Sequence, residues 1–248
     1  QWAYRLVGPL RGLLSSGSRR VECRPDRRQL SLSVAPLYYS PDAVHICDGR
    51  YQVTCLNRTE TFPSTVDWSF MDNGLLWNYR LHYLNWLQVP NKDSERLYGE
   101  YVSDGHGRGS SFDPYPTSLR LINTVKAVCS GTLSSSKKLI SMVERDCAEL
   151  LGKLEYHIMG NHLLENGLGL FWGGFFLSHK RVFRIGVRIV LSQLREQILA
   201  DGGHFERSPM YHKLMLWRVL DSVNLLAGTG VPEARGVLLA LRRYAHRM

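Results

Sequence analysis

The chain has 248 residues, of which 44% are apolar, and its 31 Lys and Arg against 22 Asp and Glu give a formal charge of +9. This composition excludes a disordered chain, and the length suits one large domain or two small ones. The positive field favours an anionic partner, whether nucleic acid, a membrane surface or an acidic polysaccharide.

Residues 1–20 carry Arg5 and Arg11 between short apolar pieces, a poor secretory signal, and Gln1 reads as the start of a processed product or fragment. The compartment stays open between bacterial periplasm and cytoplasm. Residues 1–70 form a lead-in with short strands, expected over Gln29–Val34 and Gln52–Leu56, where apolar and polar residues alternate. The basic pairs Arg19-Arg20, Arg27-Arg28, Lys137-Lys138 and Arg242-Arg243 are scattered, unlike the dense run of a nucleic-acid tail, so no nucleic acid is expected. Five cysteines without a CxxC pair, Cys23, Cys47, Cys55, Cys129 and Cys147, indicate neither a zinc ribbon nor a disulfide scaffold. Buried thiols are the default, and one Cys47–Cys55 bridge is compatible with an oxidising compartment.

From Asp72 the period becomes helical. Helices are expected near 73–88, 117–130, 134–156, 161–177, 180–200, 209–227 and 231–246, with Thr117, Ser134, Gly202-Gly203 and Pro209 as boundary signals. Between the first two, Gly105–Ser111 lacks the Gly-Lys-Ser/Thr ending of a P-loop and reads as a flexible loop. No run approaches the ~20 apolar residues of a membrane span, and no fixed-period repeat supports a TPR or HEAT array.

Short links make successive helices antiparallel, so those starting at 117, 161 and 209 run one way and those at 134, 180 and 231 return. An αα-hairpin array of toroidal or solenoid type fits better than a four-helix bundle. The amino-terminal ends of the three parallel helices then share one rim, with free N–H groups and positive dipole ends suited to an anion. Asp113–Pro116, Gly160–His162 and Arg207–His212 would meet there.

Two polar strings stand out. Gly160-Asn161-His162-Leu163-Leu164-Glu165-Asn166 opens one helix, and Asp201 through His212 packs two imidazoles, a phenol, a guanidinium and carboxylates between apolar segments. Each has a plainer reading: Asn161 as a helix cap, His162 as a core histidine and Tyr211 as a packed aromatic. There is no HExxH, and His204, Glu206 and His212 have no zinc spacing, so no metal is expected. The triplet Asn57-Arg58-Thr59 matches a glycosylation sequon, a pattern common by chance.

With Asp113-Pro114-Tyr115-Pro116-Thr117-Ser118-Leu119-Arg120 and Trp77–Leu84, these strings resemble, in order and spacing, the amino-terminal toroid domain of the heparinase II/III-like and related alginate lyase family. The resemblance covers roughly 72–226, and the string from Asp201 through His212 is its most specific part. It implies a mainly α fold, an incomplete (α/α) toroid over 71–248, followed in whole family members by a β-sandwich. Since the sequence stops at Met248, the sandwich is expected to be absent here or supplied by a partner. Its absence would leave the cleft with one wall, an inactive or weakly active domain, and an exposed apolar docking patch.

The resemblance further implies β-elimination at a uronic acid in an anionic polysaccharide, without metal or organic cofactor. Asn161 and His162 match the family's carboxylate-neutralising pair, and Tyr211 matches its proton-donating tyrosine. Arg207, His204 and His212 take supporting roles, Glu165 matches a glutamate of one heparinase branch, and Tyr115 and Arg120 would line the substrate groove, with the arginine gripping an anion. Two other readings stand beside it: a non-catalytic glycan-binding or scaffold protein in surface polysaccharide assembly, and a glycoside hydrolase using Glu165 and Glu206.

Overall fold

The computed structural model describes residue 32 and residues 42–89, 91–158, 160–229 and 231–248. The strand expected over Gln29–Val34 and Cys23 lie outside the described residues, apart from Leu32. The described part is mainly α, 62% helical, with a small three-stranded sheet in front.

The sheet is antiparallel in the order β1 (Ala43–Cys47), β2 (Arg50–Cys55) and β3 (Arg58–Phe62). Two two-residue turns join the strands. Asp48 and Gly49 in one, and Leu56 and Asn57 in the other, all have positive φ, the backbone whose twist matches paired strands. Alternation along β2 turns Tyr51, Val53 and Cys55 inward, where Val53 pairs with Val44 and Tyr51 with Phe62. β1 and β3 escape the sequence reading because β3 is mostly polar and exposed.

Helix α1 (Leu75–Tyr83) ends at Leu84, whose φ of 55° closes it into a 3-10 turn over Asn85–Gln88. A short α2 (Ser94–Glu100) runs into a π-turn over Tyr101–Gly105, neither of which the sequence pattern announced. Then come α3 (Pro114–Cys129), α4 (Lys137–Gly152), α5 (His162–Phe176), α6 (Lys180–Gln197), α7 (Pro209–Thr229) and α8 (Arg235–Arg247). Prolines open α3 and α7 where a missing N–H costs nothing. Ser136, two residues past the expected Ser134, caps α4 by accepting from the Leu139 N–H, and His179 caps α6 through Val182.

Contacts along the helices fix their directions. Tyr115, Ser118 and Leu121 of α3 meet Asn161, Asn166 and Gly173 of α5 in rising order, so these two are parallel. Glu165 meets Arg218 and Trp172 meets Ser222, which makes α7 parallel to α5 as well. α4 and α6 return: Gly169 and Gly173 face Leu150 and Cys147, while Gly167 and Gly174 face Ile189 and Phe183. The end of α8 reaches the end of α6, with the Arg247 guanidinium donating to the Leu199 carbonyl at 2.6 Å. This alternation is the one expected of an αα-hairpin array.

Close approach depends on two glycines. A Cβ on Gly174 or Gly186 would collide with the backbone of the facing helix, at Phe183 and Phe171 respectively. In consequence every residue of α5 from Leu163 to Gly174 is buried. One apolar cluster joins the sheet (Val44, Val53, Cys55) to Trp77, Leu81, Met142 and Leu170, and a second joins α3 and α5 to Leu194, Met215, Val219 and Leu241.

Three expectations change. Gly105–Ser111 is not a free loop, because its second half is held: Ser110 bonds Asn78, Arg120 donates to the Ser111 carbonyl, and both serines are buried. Cys47 is exposed and Cys55 buried on different strands, and both are free thiols, so the bridge does not form. Arg120 does not line a groove. It is wholly buried, and its guanidinium is spent on both Asp146 oxygens, at 2.8 and 2.6 Å, and on the Ser111 carbonyl. Among the described residues no helix is long and apolar enough to cross a membrane.

Candidate active site

Parallel packing brings the amino-terminal ends of α3, α5 and α7 to one rim. Asn161 stands at the cap position of α5, yet its side chain makes no capping bond. Instead its amide donates to the Tyr115 hydroxyl at 3.2 Å. Asp113, the cap residue of α3, likewise leaves its helix uncapped and accepts from the Tyr79 hydroxyl at 2.7 Å. The first backbone N–H groups of α5, and the single one of Tyr115 between the two prolines of α3, therefore reach this rim without side-chain acceptors. The plain capping reading of Asn161 does not hold.

His162 lies against Tyr115, ring centroids 4.6 Å apart, and its Nδ1 is 3.1 Å from Glu155 Oε1. The buried Glu155 carboxylate can only accept, so Nδ1 carries the proton and Nε2 is left for a ligand. Glu155 also accepts from the Asn166 amide at 2.9 Å, which fixes its own rotamer. Sequence reasoning missed Glu155; the available signal was a carboxylate seven residues before the histidine.

Helical spacing puts Tyr211 on the inward stripe of α7, one turn above Met215, two above Arg218 and three above Ser222. Its phenol is near enough to bear electrostatically on Tyr115. Burial first, then the Glu165 charge, pushes the Tyr115 hydroxyl well above the usual phenol range, while Arg218 and the Asn161 bond pull the other way. The Tyr211 ring lies 6.1 Å from that of His204. His204 is buried, its Nε2 3.2 Å from Gln197 Oε1, and burial lowers its pKa, with His212 adding to the fall and Glu206 opposing it. The same Gln197 donates to the Gly160 carbonyl at 2.9 Å and so ties the two polar strings together. Gly160 has φ +87°, and a Cβ there would lie 3.1 Å from Glu206 Oε1, so a larger residue is disfavoured twice.

Of the residues read from sequence, Tyr115, Asn161 and His162 touch, while Tyr211 and His204 lie against each other and are linked to Gly160 through Gln197. Arg207 is exposed at the turn before α7, in a left-handed conformation of φ 52°. Glu165 is fully buried behind Tyr115 and paired with Arg218 at 2.9 Å, so it faces protein and not an incoming sugar. Arg120 is remote from this cluster, as described above. Among the described residues no group of His, Cys, Asp or Glu is arranged to hold a metal.

Residues 137–234 match the family model described as heparinase II/III N-terminus. No curated protein and no solved structure matches the chain. The matched segment runs from the start of α4 past the end of α7, and Glu155, Asn161, His162, His204 and Tyr211 fall within it. This part of the chain is therefore similar to a heparinase II/III N-terminal domain.

Proposed function

We propose that the rim is the helical half of a polysaccharide lyase site that cleaves a uronic-acid-containing glycan by β-elimination. The observation that carries this reading is the Asn161 amide, turned away from its own helix end and held beside His162 and Tyr115 where uncapped helix N–H groups converge. A C5 proton beside a full carboxylate charge is too weakly acidic to leave. Asn161, the helix N–H groups and, in the imidazolium form that the Glu155 carboxylate would hold, His162 Nε2–H are donors suited to that carboxylate, and they gain strength as charge moves onto its oxygens, an effect worth about 3 kcal/mol or more per well-placed donor.

A base then takes the C5 proton, its electron pair forms the C4–C5 double bond, and the C4–O4 bond breaks. The departing sugar keeps O4 and receives a proton. Tyr211, on the inward stripe beside His204, is assigned that donation and, in its phenolate form, the prior abstraction. The hydrolase reading loses support because Glu165 is sealed against Arg218, leaving Glu206 without an opposed carboxylate.

The test is incubation with alginate, heparan sulfate and bacterial uronans, followed in the ultraviolet for the unsaturated uronate. A lyase gives the rising signal, which Tyr211→Phe abolishes while glycan binding persists. Glycan binding without any signal would favour the scaffold reading. An unchanged rate in Tyr211→Phe removes that residue from the chemistry.

A further inference from the structure

Away from the rim, a groove of about 580 Å³ opens between the π-turn after α2 and the first half of α4. Lys137, Lys138 and Arg145 line it, with the hydroxyls of Ser103 and Ser141 and the ring of His106. The three cations are exposed, and none pairs with a carboxylate among the described residues. Asp146, behind the groove, is fully buried and shared between Arg120 and His106, so it offers them nothing. Arg145 is steadied from below, its guanidinium 4.7 Å from the centre of the Phe112 ring.

We propose that this groove is an accessory subsite for a sulfate ester of an anionic polysaccharide, separate from the rim where elimination is placed. The inference rests on the acidic-glycan reading above and adds a second point of attachment. Two compact lysine heads that approach from any direction, an arginine and two serine hydroxyls can surround a tetrahedral oxyanion from several sides. Nucleic acid is disfavoured because the neighbouring aromatic, Phe112, is overlaid by Arg145 and approached by Lys153 at 5.8 Å, leaving no free face for a base.

The groove and the rim are separate places on the surface. Residues 137, 141, 145, 149 and 153 recur every four along α4 and its cap, a ridge that winds about 160° round the helix and carries Glu149, which pairs with Lys153 at 3.2 Å. Because α4 returns against α5, Lys153 stands at the rim end and Lys137 about 24 Å away at 1.5 Å per residue.

The test is calorimetric titration of the full chain, carrying Tyr211→Phe so that nothing is consumed, with heparin and with hyaluronan, whose only anions are carboxylates. Lys137→Gln/Lys138→Gln/Arg145→Gln should bind heparin about tenfold more weakly, the sum of three exposed ion pairs, with hyaluronan affinity unchanged. Removing three exposed arginines of α6 instead, Arg181→Gln/Arg184→Gln/Arg188→Gln, should change heparin affinity by less than about threefold. Undiminished heparin binding in the α4 variant overturns the subsite. So does an equal loss in the α6 variant, which marks a diffuse field, or an equal loss for hyaluronan. A loss confined to single-stranded DNA, titrated in parallel, overturns it in favour of nucleic acid. Unchanged thermal unfolding of both variants shows that folding is not the cause. Failure of the elimination assay leaves this binding result readable, and the converse also holds.

Discussion

Two polar clusters hang from α3 five residues apart, and they have opposite fates. Tyr115 opens onto the rim with Asn161 and His162, whereas Arg120 is locked inside with Asp146, His106 and the Ser111 carbonyl. Both contain residue types that bind anions. What separates them is a carboxylate: Asp146 of α4 reaches Arg120 and satisfies it, while the rim groups bond one another and keep donors to spare. A charged residue in a binding-like motif is available for chemistry only when the fold supplies no internal partner.

The comparison can be broken most directly at Asp146. Asp146→Ala leaves Arg120 charged, buried and unpaired, and urea unfolding should show a loss of about 3–5 kcal/mol. A loss below about 1 kcal/mol would mean that water reaches this cluster and that it is not sealed. Next, Asn161→Ala should lower the elimination rate about a hundredfold or more with little change in unfolding midpoint, since the side chain caps nothing. If the midpoint falls as far as the rate, the rim is structural too.

A pH series sharpens the contrast. Burial, then the Arg120 charge, holds the His82 imidazole at about 3, while in the unfolded chain it titrates near 6.5. Between these values the unfolded state binds a proton that the folded state refuses. Stability is therefore full above about pH 6.5 and falls as pH drops toward 3, with a slope approaching ~1.4 kcal/mol per pH unit. Asp146 adds to the acid end: burial alone would raise its pKa, but Arg120 outweighs that and holds it low, so its contribution is lost only below about pH 4. Unfolding free energies that stay flat between pH 6.5 and 4 would contradict the sealed state of His82. The smallest effect belongs to Glu155→Gln, which keeps the shape but removes the charge orienting His162. The elimination rate should fall about fivefold. No change would show that His162 needs no fixed tautomer.

Much of this was legible beforehand. Period and boundary residues located the six long helices, because a core-facing stripe repeats whichever partner covers it, and short links forced their alternation. The Asp48-Gly49 hairpin signature was also present, but a reading based on alternation alone passes over β1 and β3, whose pairing depends on turn geometry. The site was half legible. Asn161, His162 and Tyr211 could be placed on one rim from helix direction, whereas the internal satisfaction of Arg120 by Asp146 and of Glu165 by Arg218 joins residues 26 and 53 positions apart. Local pattern carries no trace of such pairs.

The complete enclosure of α5 sets a timetable for isotope labelling. Its amides between Leu163 and Gly174 have no route to deuterium short of the whole array coming apart, so they should be the last in the chain to gain mass. Asn161 and His162 thus stand at the mouth of the slowest-opening segment, held still by an axle that does not turn while the strings around it breathe.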